Sequence, residues 1–260
     1  MSTLKNKPLG VFDIDGTFFR ESLFVALTKA LCKQGIFPQN AFADNQQLSK
    51  LEELYKDGGR SIYRKYLDAV VKFYFKNIID VEQYRVQNLA DEVMRKIHKR
   101  VHVFTRELFN VTKDSYYNIT LTGSQQEVVT AFQNYWPFQF ILPTVLEVQY
   151  GRYTGKVVAE PVLDKKAALY NFLGTKKFGL KKSFGIGDTE SDAEFLSEVA
   201  VPICFNPNQA LWKIAKKNGW FRVTEKKDLI LVFHGDLIID LNSGDIPQLH
   251  QFIREQILKV

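Results

Sequence analysis

The chain is poor in sulfur. It has two cysteines in 260 residues, Cys32 and Cys204, and no CxxC pair. That argues against a disulfide framework, a cysteine-built zinc site or a redox motif. Long apolar runs are also missing. The longest uncharged stretch, residues 128–146, carries Gln133, Asn134, Pro137, Gln139 and Pro143. It reads as a helix leading into a buried strand, and no membrane partner is expected. The opening MSTLKNKPLG has no apolar core of the signal-peptide kind, so a cytoplasmic location is expected. Charge of one sign is not concentrated. The net charge of +6 is scattered, with short basic clusters at residues 95–100 and 176–182. Such a surplus steers anions, but its scatter does not single out nucleic acid, and the clusters read as solvated surface. What is present is ordinary for a globular protein: 45% hydrophobic, 25% charged and 13% aromatic residues. That suffices for one large domain, or for a core domain with a smaller companion.

Along the chain, PLGVFD (8–13) reads as a short buried strand. From Glu21 to about Asn110 the pattern is helical, broken at Gly58-Gly59. Leu89, Val93, Ile97 and Val101 recur four apart with charges between them, which predicts an amphipathic helix. A β-rich run follows at 116–124, where Ser124 and Glu127 have the spacing of a capping box. Residues 145–158 read as a hairpin with Gly151 and Gly155 near its turn. LDKKAALYNFLG (163–174) reads as a helix stopped by Gly174. Two strand-turn-helix units (182–196 and 200–220), a strand pair around His234-Gly235-Asp236 and a final helix complete the chain. Apart from the helical block 19–111, strands and helices alternate. This predicts an α/β fold with a mostly parallel sheet flanked by helices. In such sheets ligands bind beyond the carboxyl ends of the strands.

Polar residues end those strands: Asp13 and Asp15, Thr122, then Asp188 and Asp192, with Lys165 and Lys166 opening a helix. Clustered carboxylates repel, and a hard divalent cation with a substrate phosphate relieves that repulsion. One carboxylate can attack phosphorus, and another can shuttle the proton. Each piece taken singly also has a plain reading. Asp13 and Asp15 suit a turn before Gly16. Ser124 and Thr189 suit caps, and the lysines suit the surface.

The four pieces occur in one order: DIDGT, LTGS, DKKAAL and GIGDTESD. Together they resemble the four motifs of the haloacid dehalogenase-like (HAD) superfamily of phosphohydrolases. The helical insertion, GRYTGKVV and FNPNQALWKIAKKNGW are similar to its phosphoserine-phosphatase-like branch, which carries a helical cap. The resemblance implies a Rossmannoid core at 1–18 and 112–260 and a cap at 19–111. It implies that Asp13 is the nucleophile and a Mg²⁺ ligand, and that Asp15 is the general acid/base with its carbonyl on the metal. Thr122 and Gly123 would bind the phosphoryl group and Lys165 would offset its charge. Lys165 is preferred to Lys166 because Leu169 and Leu173 then follow at the family's spacing. Asp188 would ligate Mg²⁺, and Asp192 would orient the lysine or a metal-bound water. The chain departs from true phosphoserine phosphatases in having Thr122-Gly123-Ser124 for Ser-Gly-Gly. Glu21 and Arg60 are the candidates for that branch's substrate-binding cap residues, and Phe18 and Phe19 put apolar bulk beside the site. The expected activity is Mg²⁺-dependent hydrolysis of a small phosphomonoester through an aspartyl-phosphate. The alternatives are phosphoryl transfer to an alcohol on the same site, a nucleic-acid end-processing phosphatase, or a binding protein that lost catalysis. The intact Asp13, Asp15, Lys165 and Asp188 set argues against the last. The substrate and the oligomeric state are not readable from these motifs.

Overall fold

The computed structural model describes residues 7–43, 46–56, 60–176 and 179–259, without the side chains of residues 60, 61, 175 and 176. The Gly58-Gly59 break and the Arg60 side chain thus lie outside the described residues. The strands are β1 (Leu9–Phe12), β2 (Tyr117–Gln125), β3 (Phe140–Gln149), β4 (Arg152–Ala159), β5 (Phe184–Gly187), β6 (Val201–Phe205), β7 (Phe221–Lys226), β8 (Leu229–His234) and β9 (Leu237–Asn242). They form one sheet in the order β4-β3-β2-β1-β5-β6-β7-β8-β9. The stretch from β3 to β7 is parallel, while β4, β8 and β9 join antiparallel at the two edges. This is the mostly parallel α/β sheet that the alternation predicts.

β1 is central and buried on both faces, which explains its unbroken apolar spelling. Leu9 and Val11 point into one core, with Ile119, Leu121 and Phe195. Phe12 points into the other, as a period of two demands. Phe18 is fully buried there too. Its ring meets those of Phe12, Phe109, Phe132, Trp136 and Phe138 edge-on at 5.1–5.9 Å. Phe18 and Phe19 are therefore core residues.

The block between β1 and β2 is helical, as predicted: α1 (Leu23–Lys33), α2 (Gln47–Lys56), α3 (Arg60–Asn77), α4 (Gln83–Ile97) and α5 (Val103–Thr112). α4 buries Val86, Leu89, Ala90 and Met94. Val101 lies past its end and bridges to Phe19. Here the two crossings into and out of the block run side by side. The Arg20 N–H donates to the Arg100 carbonyl, and the His102 N–H to that of Phe18. Beyond the crossing, α5 packs on β2 and on α10 (Ile246–Phe252).

The remaining helices are α6 (Gln126–Gln133), α7 (Lys165–Lys176), α8 (Ala193–Leu196) and α9 (Gln209–Asn218). Three local expectations change. Ser124 does not cap α6, because it is still in β2 and its hydroxyl points elsewhere; Gln125 takes the cap position without a side-chain bond. Gly155 lies within β4, at positive φ where the register with β3 shifts, while the hairpin turns at Tyr150-Gly151. α7 runs through Gly174 to Lys176. Among the described residues, no helix is long and apolar enough to cross a membrane.

Candidate active site

β2, β1 and β5 are adjacent and parallel, so their carboxyl ends form one rim. At the end of β1 the Asp13 N–H still pairs with the Ile186 carbonyl at 2.9 Å. The chain then turns sharply. Ile14 drops into the core, and its carbonyl collects the N–H groups of Thr17, Phe18 and Phe19. Gly16 makes the turn at φ +82°, and a Cβ there would stand 2.5 Å from an Asp188 oxygen. Glycine is required on both counts. At the end of β5, a Cβ on Gly187 would sit 2.5 Å from the Asp192 carboxyl carbon. Small residues thus let three acidic side chains crowd together.

Lys165 opens α7 behind the Asp164 cap, which accepts the Ala167 N–H at 2.7 Å. Its ammonium is buried and reaches Asp13 Oδ1 at 2.7 Å and Asp192 Oδ1 at 2.5 Å. Lys166 points outward to Glu198 instead. The other Asp192 oxygen accepts the N–H groups of Asp188 and Thr189 and the Thr189 hydroxyl. Asp192 is therefore fully engaged. Among the described residues, Asp188 accepts one hydrogen bond, from the Thr17 hydroxyl at 3.3 Å. Ligand oxygens of Asp13, Asp188 and Asp192 lie within 4.8 Å of one another.

Asp15 faces a different set of partners. Its Oδ1 accepts the Leu23 N–H at the start of α1, at 2.5 Å. Its Oδ2 accepts the hydroxyls of Ser124 at 2.6 Å and Thr122 at 3.1 Å. Thr122 in turn accepts the Ser124 N–H. Sequence reasoning missed this use of Ser124, because a strand-end serine followed by Glu127 spells a cap equally well. The neighbouring Gly123 offers backbone only, and its carbonyl accepts the Thr144 hydroxyl.

Burial dominates the electrostatics. It pushes the Asp13 carboxyl up to about 7, with Asp192 and Asp15 adding to the rise and Lys165 opposing it. Asp15 is raised by burial against its three donors. Asp188 goes well above the carboxylate range through burial, Asp13 and Asp192. Burial works against the Lys165 charge, yet Asp13 and Asp192 more than offset it and hold the ammonium protonated. The cluster holds more carboxyl groups than one lysine can neutralise, and burial and mutual repulsion raise Asp13 and Asp188 accordingly.

Of the two expected substrate contacts, one stands away from the rim and the other lies outside the described residues. Glu21 is exposed and pairs with Arg100 at 3.1 Å, because α1 begins two residues later and turns it away from the rim. The Arg60 side chain lies outside the described residues. From the helical block, Tyr63 of α3 lies within electrostatic range of the site: burial first, then the Asp15 and Asp188 charges, raise its hydroxyl. Arg64 pairs at 3.3 Å with Glu190, in the turn between Asp188 and Asp192.

A family profile described as haloacid dehalogenase-like hydrolase matches residues 11–197. A histidinol-phosphatase of Neisseria meningitidis serogroup C (strain 8013) is 24% identical over 82% of this chain and 97% of its own length. Among solved structures, a Bordetella pertussis Tohama I protein of unknown function has TM-score 0.65 at 20% identity, covering 83% of this chain and 97% of its own. A phospho-aspartyl intermediate analogue of phosphoserine phosphatase has TM-score 0.50 at 16% identity, covering 80% and 91%. At these identities the two structures bear on the fold alone.

Proposed function

The chain belongs to the haloacid dehalogenase-like hydrolase family and is a phosphatase-type enzyme, and from that premise we propose that it hydrolyses a small phosphomonoester through a phosphoryl group carried on Asp13, with Mg²⁺ bound. The observation that carries this reading is the buried Lys165 ammonium, which pins one Asp13 oxygen and leaves the other to attack. Asp192 holds Lys165 from behind and is itself tied to the backbone of residues 188 and 189.

The acidic cluster fits a divalent cation. Three carboxylates share a site with one ammonium, and Asp188, which faces the Gly16 turn, has one weak donor among the described residues. Asp192 is spent on the backbone and Lys165, so Asp13 and Asp188 would hold the ion, with the Asp15 carbonyl as the family pattern implies. When bound, the ion supplies positive charge to the phosphoryl oxygens. In the first step Asp13 oxygen bonds to phosphorus and the ester P–O bond breaks. Asp15, which burial biases toward its protonated form, gives its proton to the departing alcohol. In the second, Asp15 takes a proton from water as that water attacks phosphorus and frees Asp13. Lys165 offsets the charge in both. Thr122 and Gly123 would serve the phosphoryl group once substrate displaces the present bonds. We take the helices α1–α4 as the cap that covers the site, and small phosphorylated compounds as its substrates.

The test is phosphate release from a panel of phosphomonoesters, headed by the ester for which the Neisseria relative is named. Wild type with Mg²⁺ should be active, and EDTA should abolish activity. Asp13→Asn should lose at least about 10³-fold in kcat. Full activity in that variant would overturn the covalent route.

A further inference from the structure

Strands β8 and β9 are spelled for burial on both faces, yet among the described residues a helix covers only one. A strand with one wet face alternates apolar and polar residues. β8 instead reads LILVFH, apolar at five consecutive positions. Ile230 and Val232 enter the core with Leu241 of β9 and Leu249 of α10. Leu229, Leu231 and Phe233 point the other way, and the register sets Ile238 beside Phe233 and Asp240 beside Leu231 on that face. Leu229, Leu231, Phe233 and Ile238 belong to neither core. Ile238 is 65% exposed and Leu229 41%. On this side of the sheet α9 packs on β6 and β7. Its cover ends where the Trp212 ring meets Phe233 at 5.2 Å and Arg222 of β7 at 4.9 Å. A contiguous apolar face of this kind marks an interaction surface.

The two flanks of the face differ in sign. On the α9 side Lys213, Lys216 and Lys217 are exposed. On the β9 side Asp236 and Asp240 are exposed. Residues 228–253 hold four aspartates and no lysine or arginine, in a chain of net charge +6. Such a surface is complementary to itself. A two-fold axis parallel to the strands lays the bare β8–β9 face of one copy on that of another and exchanges the flanks. Sheets pack face to face about 10 Å apart, which is about the thickness of a helix. The α9 of each copy therefore comes level with the β9 edge of the other. The axis keeps heights along the strands unchanged. Trp212 stands level with Phe233, and so with Ile238. Lys213 and Lys216, one residue and one turn further on, thus meet Asp236 and Asp240 of the second copy. Pairing β9 edge to edge with its own copy would instead set like charges together.

We propose that two copies of this chain form a two-fold dimer through the outer face of β8 and β9, with α9 of each copy beside the β9 edge of the other. The face is small for a permanent interface, so the dimer exchanges with monomer at micromolar concentrations. The test is sedimentation equilibrium of the full chain between about 1 and about 200 µM. Wild type should reach twice the chain mass at the upper end. Ile238→Gln, at a mostly exposed position, should raise the dissociation constant about tenfold or more. Reversing the acidic flank with Asp236→Lys and Asp240→Lys should leave monomer throughout, and adding Lys213→Glu and Lys216→Glu should restore the dimer. Circular dichroism checks that each variant is folded, and Ile238→Gln serves if the charge variants are not. Wild type that stays monomeric, an unchanged constant in Ile238→Gln, or a folded double reversal that stays monomeric would overturn the proposal. A dimer that survives reversal of the acidic flank alone uses another face and overturns it equally.

Discussion

Asp15 is held by three donors, and in the proposed mechanism each sets how freely it can carry a proton. The Ser124 hydroxyl is the closer of the two on Oδ2. A hydrogen bond to a charged group contributes about 1.5–3 kcal/mol. Ser124→Ala should therefore lower kcat by roughly tenfold or more and move KM less, with Ser124→Thr restoring part of the rate. Steady-state kinetics on any accepted substrate checks this. Asp13 supports a second prediction, on the metal-free protein. Its folded carboxyl titrates near 7, above the ordinary value of 3.8, chiefly through burial. The native state then holds more protons than the unfolded chain between those limits. The stability it contributes is fully present below about 4 and is lost as pH rises toward 7. Thermal unfolding in EDTA should show Tm falling over that window, and Asp13→Asn should flatten the slope. Mg²⁺ should raise Tm more at pH 7.5 than at pH 5, because the ion competes with those protons. At this scale the motif residues were legible. β1 ends just before Asp13, β5 ends at Gly187 just before Asp188, and Lys165 opens α7, as the pattern of the sequence places them. Glu21 and Ser124 were not legible, since a one- or two-residue shift in where a helix begins decides which way each points.

Among elements, the turn after β1 depends on the aromatic cluster beneath it. Phe18 anchors that turn with five ring neighbours, and edge-on aromatic pairs each contribute about 0.5–1.5 kcal/mol beyond burial. Phe18→Ala should cost about 3–5 kcal/mol, read from urea unfolding. Activity measured well below the unfolding midpoint should fall as well, because the same turn carries Asp15 and Gly16. The alternation of strands and helices was readable because each element repeats its own period. α4 was readable from apolar residues four apart, although Val101 continues that spacing after the helix has ended. The destination of α5 was not. Its apolar face fits a helical bundle or a sheet equally well, and it lies on the sheet with α10. An amphipathic pattern says that a face is buried, but not against what.

For the molecule as a whole, the C-terminal strands do more than extend the sheet. Glu225 of β7 is buried and accepts from Arg20 and from the Phe104 N–H at 2.8 Å each, with His102 at 3.3 Å. One carboxylate from the end of the chain thus ties both crossings of the helical block to the core. Glu225→Ala should cost about 2–3 kcal/mol by leaving those donors unmatched, measurable as a lower midpoint in urea. Ending the chain after Trp220 would also bare the edge of β6 and the faces that α10 covers. That truncated protein should aggregate, as size-exclusion chromatography would show. Nothing in the motifs announced this link, since its partners lie 205 and 121 positions apart in sequence. The crossings themselves carry a last consequence. Phe19 and Val101 are bridged neighbours, so the chain leaves and re-enters the core through a gap about 5 Å wide. The sheet's register is indifferent to what is threaded between those two residues. Helices α1–α4 can therefore be lengthened, shortened or exchanged as a cassette without disturbing the strand ends that carry Asp13, Asp15 and Asp188.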